Sequence, residues 1–527
     1  MKSTVTTMRV AEWCPDQPVL RLHDEPSGVS DTIVNVLPRS DRSYGAFKDF
    51  VPMTMVALPE NPRGAYFGND PGGNYAVFCG TTHDLWKIQS GQTGFTNVSK
   101  SAGVYGCPLD SQWSFTQFNS RVIACNIVDP VQTFVMGTDS HFSDLGTTTS
   151  TIPPKARYCA VAKNFLFLAN TNDPVGGPAP WRAWWSGINQ PDYFPTPGST
   201  AAVTVQSDYN DFAGPNGQIT GIVGNLGTAD IAIFQEHAVW RGYYVGPSSV
   251  FNFFPAEGVR GTSAPGSIVQ LGSLVYYLGE DGFYAFDGTQ SVPIGLNKVD
   301  RTFLTDLNPG MYPYISAAID PLNKIVMWAY VSNRAPAGST DADTVICYNW
   351  ATQRWSKAFV DVEFVFRSVA FGYTLDGLDA TGYNLDTLPF SLDSRVWNGG
   401  GLLLGGFQNG KLGYFTGANL AASIRTEELQ PLPGSHTFVR NTRPLINLDP
   451  RAIPPTSIPL ITVTPSVRDH LMMAQTQTTP GVTNYNGWAP LRCSGRYVQF
   501  QIDVPYNTPF DNLQGLLIDS NPLGTRR

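Results

Sequence analysis

VYYLGEDGFYAFDG (residues 275–288) and GFQNGKLGYFTG (residues 406–417) decide how this chain is read. Each is an apolar strand, a turn built on Asp281-Gly282 or Asn409-Gly410, and a second aromatic strand that ends at a glycine. Asp-Gly and Asn-Gly suit the two-residue hairpin turn because both central residues need positive φ. Strand–turn units of this kind return from about residue 62 to residue 417, at roughly the 40-residue spacing of propeller blades. Seven candidate units run through residues 75–88, 113–127, 158–170, 219–245, 267–288, 314–360 and 394–417. Within them apolar residues alternate: Ile231 and Ile233 share a face, and Val275, Tyr277 and Phe286 do so across one hairpin. Period two over short runs predicts half-buried strands.

The expected fold is therefore all-β: a β-propeller of about six to seven blade-like units over residues 61–417. An extended N-terminal arm (1–60) precedes it and a small β-rich domain (418–527) follows. In that last region GRYVQFQIDVPYN (495–507) alternates cleanly, with Val498, Phe500, Ile502 and Val504 on one face. Residues 361–394 read as an insertion between blades. Helix is scarce, and GANLAASIRTEELQ (417–430) is the best short helical candidate.

Composition agrees with this class. Hydrophobic residues make up 42% of the 527 and aromatics 12%, enough for a large core, while charged residues are only 14%. That charge content lies well below the roughly 25% of ordinary soluble domains, which implies a surface that is polar but uncharged or covered by neighbouring subunits. The net charge of −8 argues against gripping nucleic acid by counterion release. The seven cysteines include no C-x-x-C pair and read as reduced, mostly buried thiols; Cys79, Cys125, Cys159 and Cys347 sit inside strand-like runs. The N-terminus lacks the apolar run of a signal peptide, and no stretch of 18 apolar residues predicts a spanning helix.

The search for chemistry assigns no catalytic, cofactor-binding or metal-binding residue. The six histidines (His23, His83, His141, His237, His436, His470) have no partner at H-x-H or H-E-x-x-H spacing. His83 and His237 stand in similar contexts, TTHDLW and QEHAVW, and read as hairpin-turn residues at blade edges. Asp208/Asp211 and Asp341/Asp343 lack the further oxygen ligands and the tight-turn glycine of a calcium loop, and read as solvated carboxylates. No nucleophile elbow or phosphate-binding loop occurs, and the glycines of WNGGGLLLGG (397–406) belong to a strand between tight turns. WRAWWSG, with Trp181, Trp184 and Trp185, admits a sugar-stacking reading beside the packing one. Arg526-Arg527 is a short solvated tail.

YNWATQRWSK (348–357) resembles the outer hairpin of kelch-like blades. The order of segments along the chain resembles a family of virion proteins from short-tailed bacteriophages, the tail hub or nozzle proteins, also described as packaged-DNA stabilisation proteins. The carrying stretches are WCPDQPVL (13–20) with VNVLPRSDRSYGAFKDF (34–50), FCGTTHDLWKIQSGQTGFTNVSK (78–100), WRAWWSGINQPDYF (181–194), residues 235–288, and GRYVQFQIDVP (495–505) with the closing LGTRR. This resemblance implies structural work in the virion and no enzyme activity. It implies a homo-oligomeric ring, usually a hexamer, attached below the tail adaptor that follows the portal. Fibres or spikes would attach outside, and double-stranded DNA would pass through the lumen without sequence-specific binding. Assembly would take place in the bacterial host cytoplasm. A glycan-degrading propeller enzyme and a glycan-binding module are the alternatives; the first would show convergent carboxylates in a central pocket.

Overall fold

In a computed structural model the described residues are 4–21, 28–70, 72–73, 75–89, 92, 94–146, 153–174, 176–369, 401–432, 434–448 and 460–523. The insertion expected at 361–394 falls mostly outside them, as do the start of the seventh unit, His23 and Arg526-Arg527.

The chain is all-β, with two short α-helices among the described residues, Thr200–Val205 and Asp300–Asp306. Seven successive four-stranded antiparallel arrays, sheets I to VII, begin at Ala65–Asn69, Ser114–Phe118, Lys155–Ala162, Ile219–Gly224, Val269–Leu271, Ser316–Asp320 and Phe364–Val369. In sheets I to VI the four strands follow chain order. Among the described residues sheet VII takes three strands from its own region. Its fourth is Val51–Pro52 from the N-terminal segment, with Tyr414 opposite Val51 and Gly413 opposite Pro52. The first strand of sheet VII approaches the first strand of sheet I, which in turn approaches that of sheet II.

Neighbouring sheets pack face to face through the alternation read in the sequence. Ile231 faces Phe165, Phe167 and Trp185 of sheet III, and Ile233 faces Ala169 and Ala183 of the same sheet. Ala232 and Phe234 point the other way, into a cluster with Val275, Tyr277 and Phe286 of sheet V. Both faces of a middle strand are thus covered, and all five residues of Ile231–Gln235 are buried. At the junction of sheets V and VI the ring of Phe283 lies 4.7 Å from Trp328 and 5.1 Å from Trp355. The indoles also donate across it, Trp328 Nε1 to Ser267 O at 3.0 Å and Trp355 Nε1 to Ile294 O at 3.1 Å, so no indole N–H is left unpaired there.

The N-terminal residues expected as an arm run through four sheets, one of them the two-stranded parallel pair of Glu12–Trp13 with Val29–Ser30. Thr4–Arg9, Val36–Ser40 and Ser43–Ala46 join Thr437–Leu448, Ala489–Gly495 and Phe510–Pro522 in a six-stranded sheet. Ile33–Val34 slots between the outer strand of sheet VI, parallel at Lys357, and Ala422–Arg425, antiparallel at Ser423. Tyr497–Val504, Thr462–Arg468 and Thr476–Gln477 follow, and Gly481–Val482 also pairs with Thr462–Arg468, making one ten-stranded sheet. Pairing therefore crosses both boundaries expected at 60/61 and 417/418. The C-terminal region is sandwich-like, the two sheets sharing one core in which Val498, Phe500, Ile502 and Val504 are buried as predicted. Two buried carboxylates fasten the segment: Glu427 accepts from Arg21 at 2.7 Å and from the Gly28 N–H at 2.6 Å, and Glu428 accepts from Arg468 Nε at 2.6 Å.

Two local expectations are corrected. Residues 417–430 hold a strand, Ala422–Arg425, and no helix; Ala422 and Ile424 alternate into the core between two strands remote in sequence, and that pairing overrides local propensity. Asn409-Gly410 does form the expected two-residue turn, with φ of 52° and 67°. Asp281-Gly282 does not: Leu278 pairs with Phe283 across a four-residue loop, and only Gly282 has positive φ there, at 149°. Gly282 is needed for close approach, since a Cβ would stand 2.2 Å from Cγ of Asp300.

Sheet VII tests this architecture. A Cβ on Gly413 would lie 2.3 Å from the Val51 carbonyl oxygen. Gly413→Val should force Val51–Pro52 away and cost about 1–3 kcal/mol, read as a lower urea midpoint.

Candidate functional site

The first strands of all seven sheets line one cavity of about 790 Å³. Small residues let their backbones converge; at Gly224 a Cβ would stand 2.1 Å from the Val161 carbonyl oxygen. Where the inner strands begin, the cavity is spanned. Gln112 Nε2, on the segment entering sheet II, donates to Pro313 O at 2.8 Å and Ile315 O at 3.0 Å, on the segment entering sheet VI. Gly266, entering sheet V, closes on the same point, where a Cβ would stand 2.0 Å from Ile315 O.

The wall is charge-poor: among the described residues its charged side chains are Asp110 and Arg367, on different segments, and Arg157 lies 3.9 Å from Asp110. Half-buried aromatics face in from adjacent first strands: Tyr66 and Phe115 lie near-parallel, centroids 6.2 Å apart. Burial pushes the Tyr66 phenol up to about 12; the charge of Cys159 adds to this and the Arg367 guanidinium opposes it.

The residues singled out by sequence lie elsewhere. His83 and His237 occupy equivalent turns between second and third strands, of sheets I and IV. Each meets a carboxylate: His83 Nδ1 lies 2.5 Å from Glu60, and His237 Nδ1 lies 2.9 Å from Glu280. Asp211 binds Arg182 Nε at 2.6 Å, and Asp343 accepts from the Ser332 N–H at 2.7 Å and from its hydroxyl at 2.6 Å. Trp184 and Trp185 are buried, Trp184 against Tyr209 and Trp185 against Phe251; only Trp181 reaches the surface. Packing explains that cluster. Among the described residues no three His, Cys, Asp or Glu side chains converge as metal ligands would, and no helix is long and apolar enough to cross a membrane. Sequence reading missed the cavity residues because they are single positions on seven separate strands.

No family model matches the chain, and no curated protein matches it. Among solved structures it is similar to the computationally designed Ika8 protein, at 9% identity and TM-score 0.34, covering 70% of this chain and 99% of that one. It is also similar to the extracellular domain of a hybrid two-component system from B. thetaiotaomicron, at 9% identity and TM-score 0.39 over 77% of this chain. This chain spans 44% of that structure. Scores this low transfer neither fold nor function.

Outside the cavity, burial pushes the Asp300 carboxyl from an ordinary 3.8 up to about 7; the charges of Asp16 and Asp281 add to this, and the Phe283 N–H, donating at 3.1 Å, opposes it. The folded state then holds the proton more tightly than the unfolded chain. Its stabilisation is complete below about pH 4 and disappears as pH rises through about 7. Asp300→Asn should raise the melting temperature at pH 8 and lose that advantage near pH 4. All seven cysteines are free and buried, and burial raises the thiols of Cys14, Cys79, Cys107, Cys125, Cys347 and Cys493. Ellman's reagent should find almost no fast thiol in the native protein and seven after denaturation.

Proposed function

We propose that sheets I to VII form a closed seven-bladed β-propeller and that the chain is a structural virion protein, the subunit of the tail hub or nozzle ring of a short-tailed phage. Convergence of the seven first strands on one cavity supports the propeller. So does the loan of Val51–Pro52 to the last sheet, which ties the two ends of the ring together. The order of family-like segments supports the virion role.

The observation that carries assembly is the apolar surface of the C-terminal sandwich. Met472 is 100% exposed, with Leu471 and Met473 beside it on one loop, and Tyr485 is 80% exposed on another. Such side chains are better placed in an interface than in water. Copies would join through heterologous contacts that close a ring, usually a hexamer, below the tail adaptor, with fibres or spikes outside. The 790 Å³ cavity has the size of a small-molecule site, so double-stranded DNA would travel between copies. A net charge of −8 suits a conduit that lets phosphates slide. The ring would help retain packaged DNA and conduct it at ejection, after assembly in the host cytoplasm. A glycan-degrading enzyme is less well supported, because the described residues of the cavity wall include one carboxylate, Asp110, where glycoside hydrolysis calls for two.

Light scattering and negative-stain imaging of the purified protein, alone and with the tail adaptor, should reveal rings with an open lumen. Replacing Met472 and Met473 by Glu should leave folded monomers. A wild-type protein that stays monomeric beside its adaptor, or that turns over a polysaccharide, would overturn the reading.

A further inference from the structure

The cavity holds unsatisfied polar groups that a structural role does not use. Arg367, on the first strand of sheet VII, is exposed to it and takes no hydrogen-bond or ion-pair partner from the described residues. The other charged wall residue, Asp110, stands on a different segment beside Arg157. Among the described wall residues one unpaired cation is therefore available, in a protein whose net charge is −8. On the same cavity wall the Tyr66 and Thr116 hydroxyls and the Asn69 side-chain amide are likewise unpartnered among the described residues. Gln270 spends its amide nitrogen on Gly224 O and Gly272 O, which leaves its oxygen as an acceptor. Phe115 lies near-parallel to Tyr66 and extends the apolar wall.

These groups together describe a ligand. One guanidinium selects one carboxylate, which it can hold through two parallel N–H donors. A polyanion is not expected, since among the described wall residues it would meet Arg367 and no further basic side chain. Hydroxyls and amides on several strands ask for a ligand rich in hydroxyls, because a flat apolar molecule would bury them unpaired at a cost. The aromatic wall suits the C–H face of a pyranose ring, which carries partial positive charge toward the π-system. A volume of about 790 Å³ accommodates a mono- to trisaccharide. We propose that this cavity binds an acidic sugar of the hexuronic acid class, its carboxylate on Arg367, its ring against Tyr66 and Phe115, and its hydroxyls on Asn69, Thr116 and Gln270. Entry would be from the end away from the Gln112 bridge. The inference rests on the cavity alone and stands or falls independently of ring assembly.

Isothermal titration of the purified full chain tests it, with glucuronate and galacturonate as probes and glucose and inorganic phosphate as controls. At least one uronate should bind, with glucose weaker by about tenfold or more because it lacks the carboxylate. Arg367→Gln should weaken the uronate by about tenfold and leave the melting temperature nearly unchanged, since the Arg367 side chain takes no hydrogen-bond or ion-pair partner among the described residues. Tyr66→Phe should produce a smaller loss. Absence of binding by both uronates would overturn the proposal. So would glucose binding as tightly as the uronate, phosphate binding as tightly (a bare anion site), or indifference to Arg367→Gln.

Discussion

Everything in this structure depends on backbone pairing supplied by residues 33–52. An unpaired sheet edge exposes a row of N–H and C=O groups, which must find water, a neighbour or another chain. Ile33–Val34 covers the edge of sheet VI on one side and offers its own other edge to Ala422–Arg425. Eighteen residues on, Val51–Pro52 covers the edge of sheet VII. One short segment thus joins the arrays to the C-terminal sandwich and supplies the last of them with its missing strand. The buried Glu427, holding both Arg21 and the Gly28 N–H, keeps the chain before it in place. Removing either partner would strand a charge in a low-dielectric site.

Once the first strands are brought together, the chemistry of the cavity follows from how close they come. Near Gly224 and Gly266 there is no room for a side chain between backbones, so convergence depends on glycine at those points. Larger side chains are left to line the space, and they are mostly aromatic, hydroxyl and amide. Charge is sparse because a buried ion needs a partner. Arg367 is exposed to the cavity and takes no hydrogen-bond or ion-pair partner among the described residues, so it suits a ligand better than packing. In the proposed virion role the same low charge serves a different end, a surface that neither clamps DNA nor repels neighbouring copies.

The sequence by itself determined the strands. Alternation in residues 231–235 and 495–504, and Asn409-Gly410 between two aromatic strands, act over a few residues, where period two and positive φ leave little freedom. Local signals were insufficient at Asp281-Gly282, where the buried Asp300 carboxylate sets the loop, and at residues 417–430, where helix-compatible composition yields to pairing with strands some 80 and nearly 400 residues away. The tertiary structure alone decided which strands share an edge, that the N-terminal residues belong to four sheets, and that Tyr66, Phe115, Gln270 and Arg367 meet around one cavity. Those facts depend on contacts between residues far apart in the chain. No local pattern encodes such contacts, because they are selected by the simultaneous burial of many faces and the pairing of every backbone group that burial would otherwise leave alone.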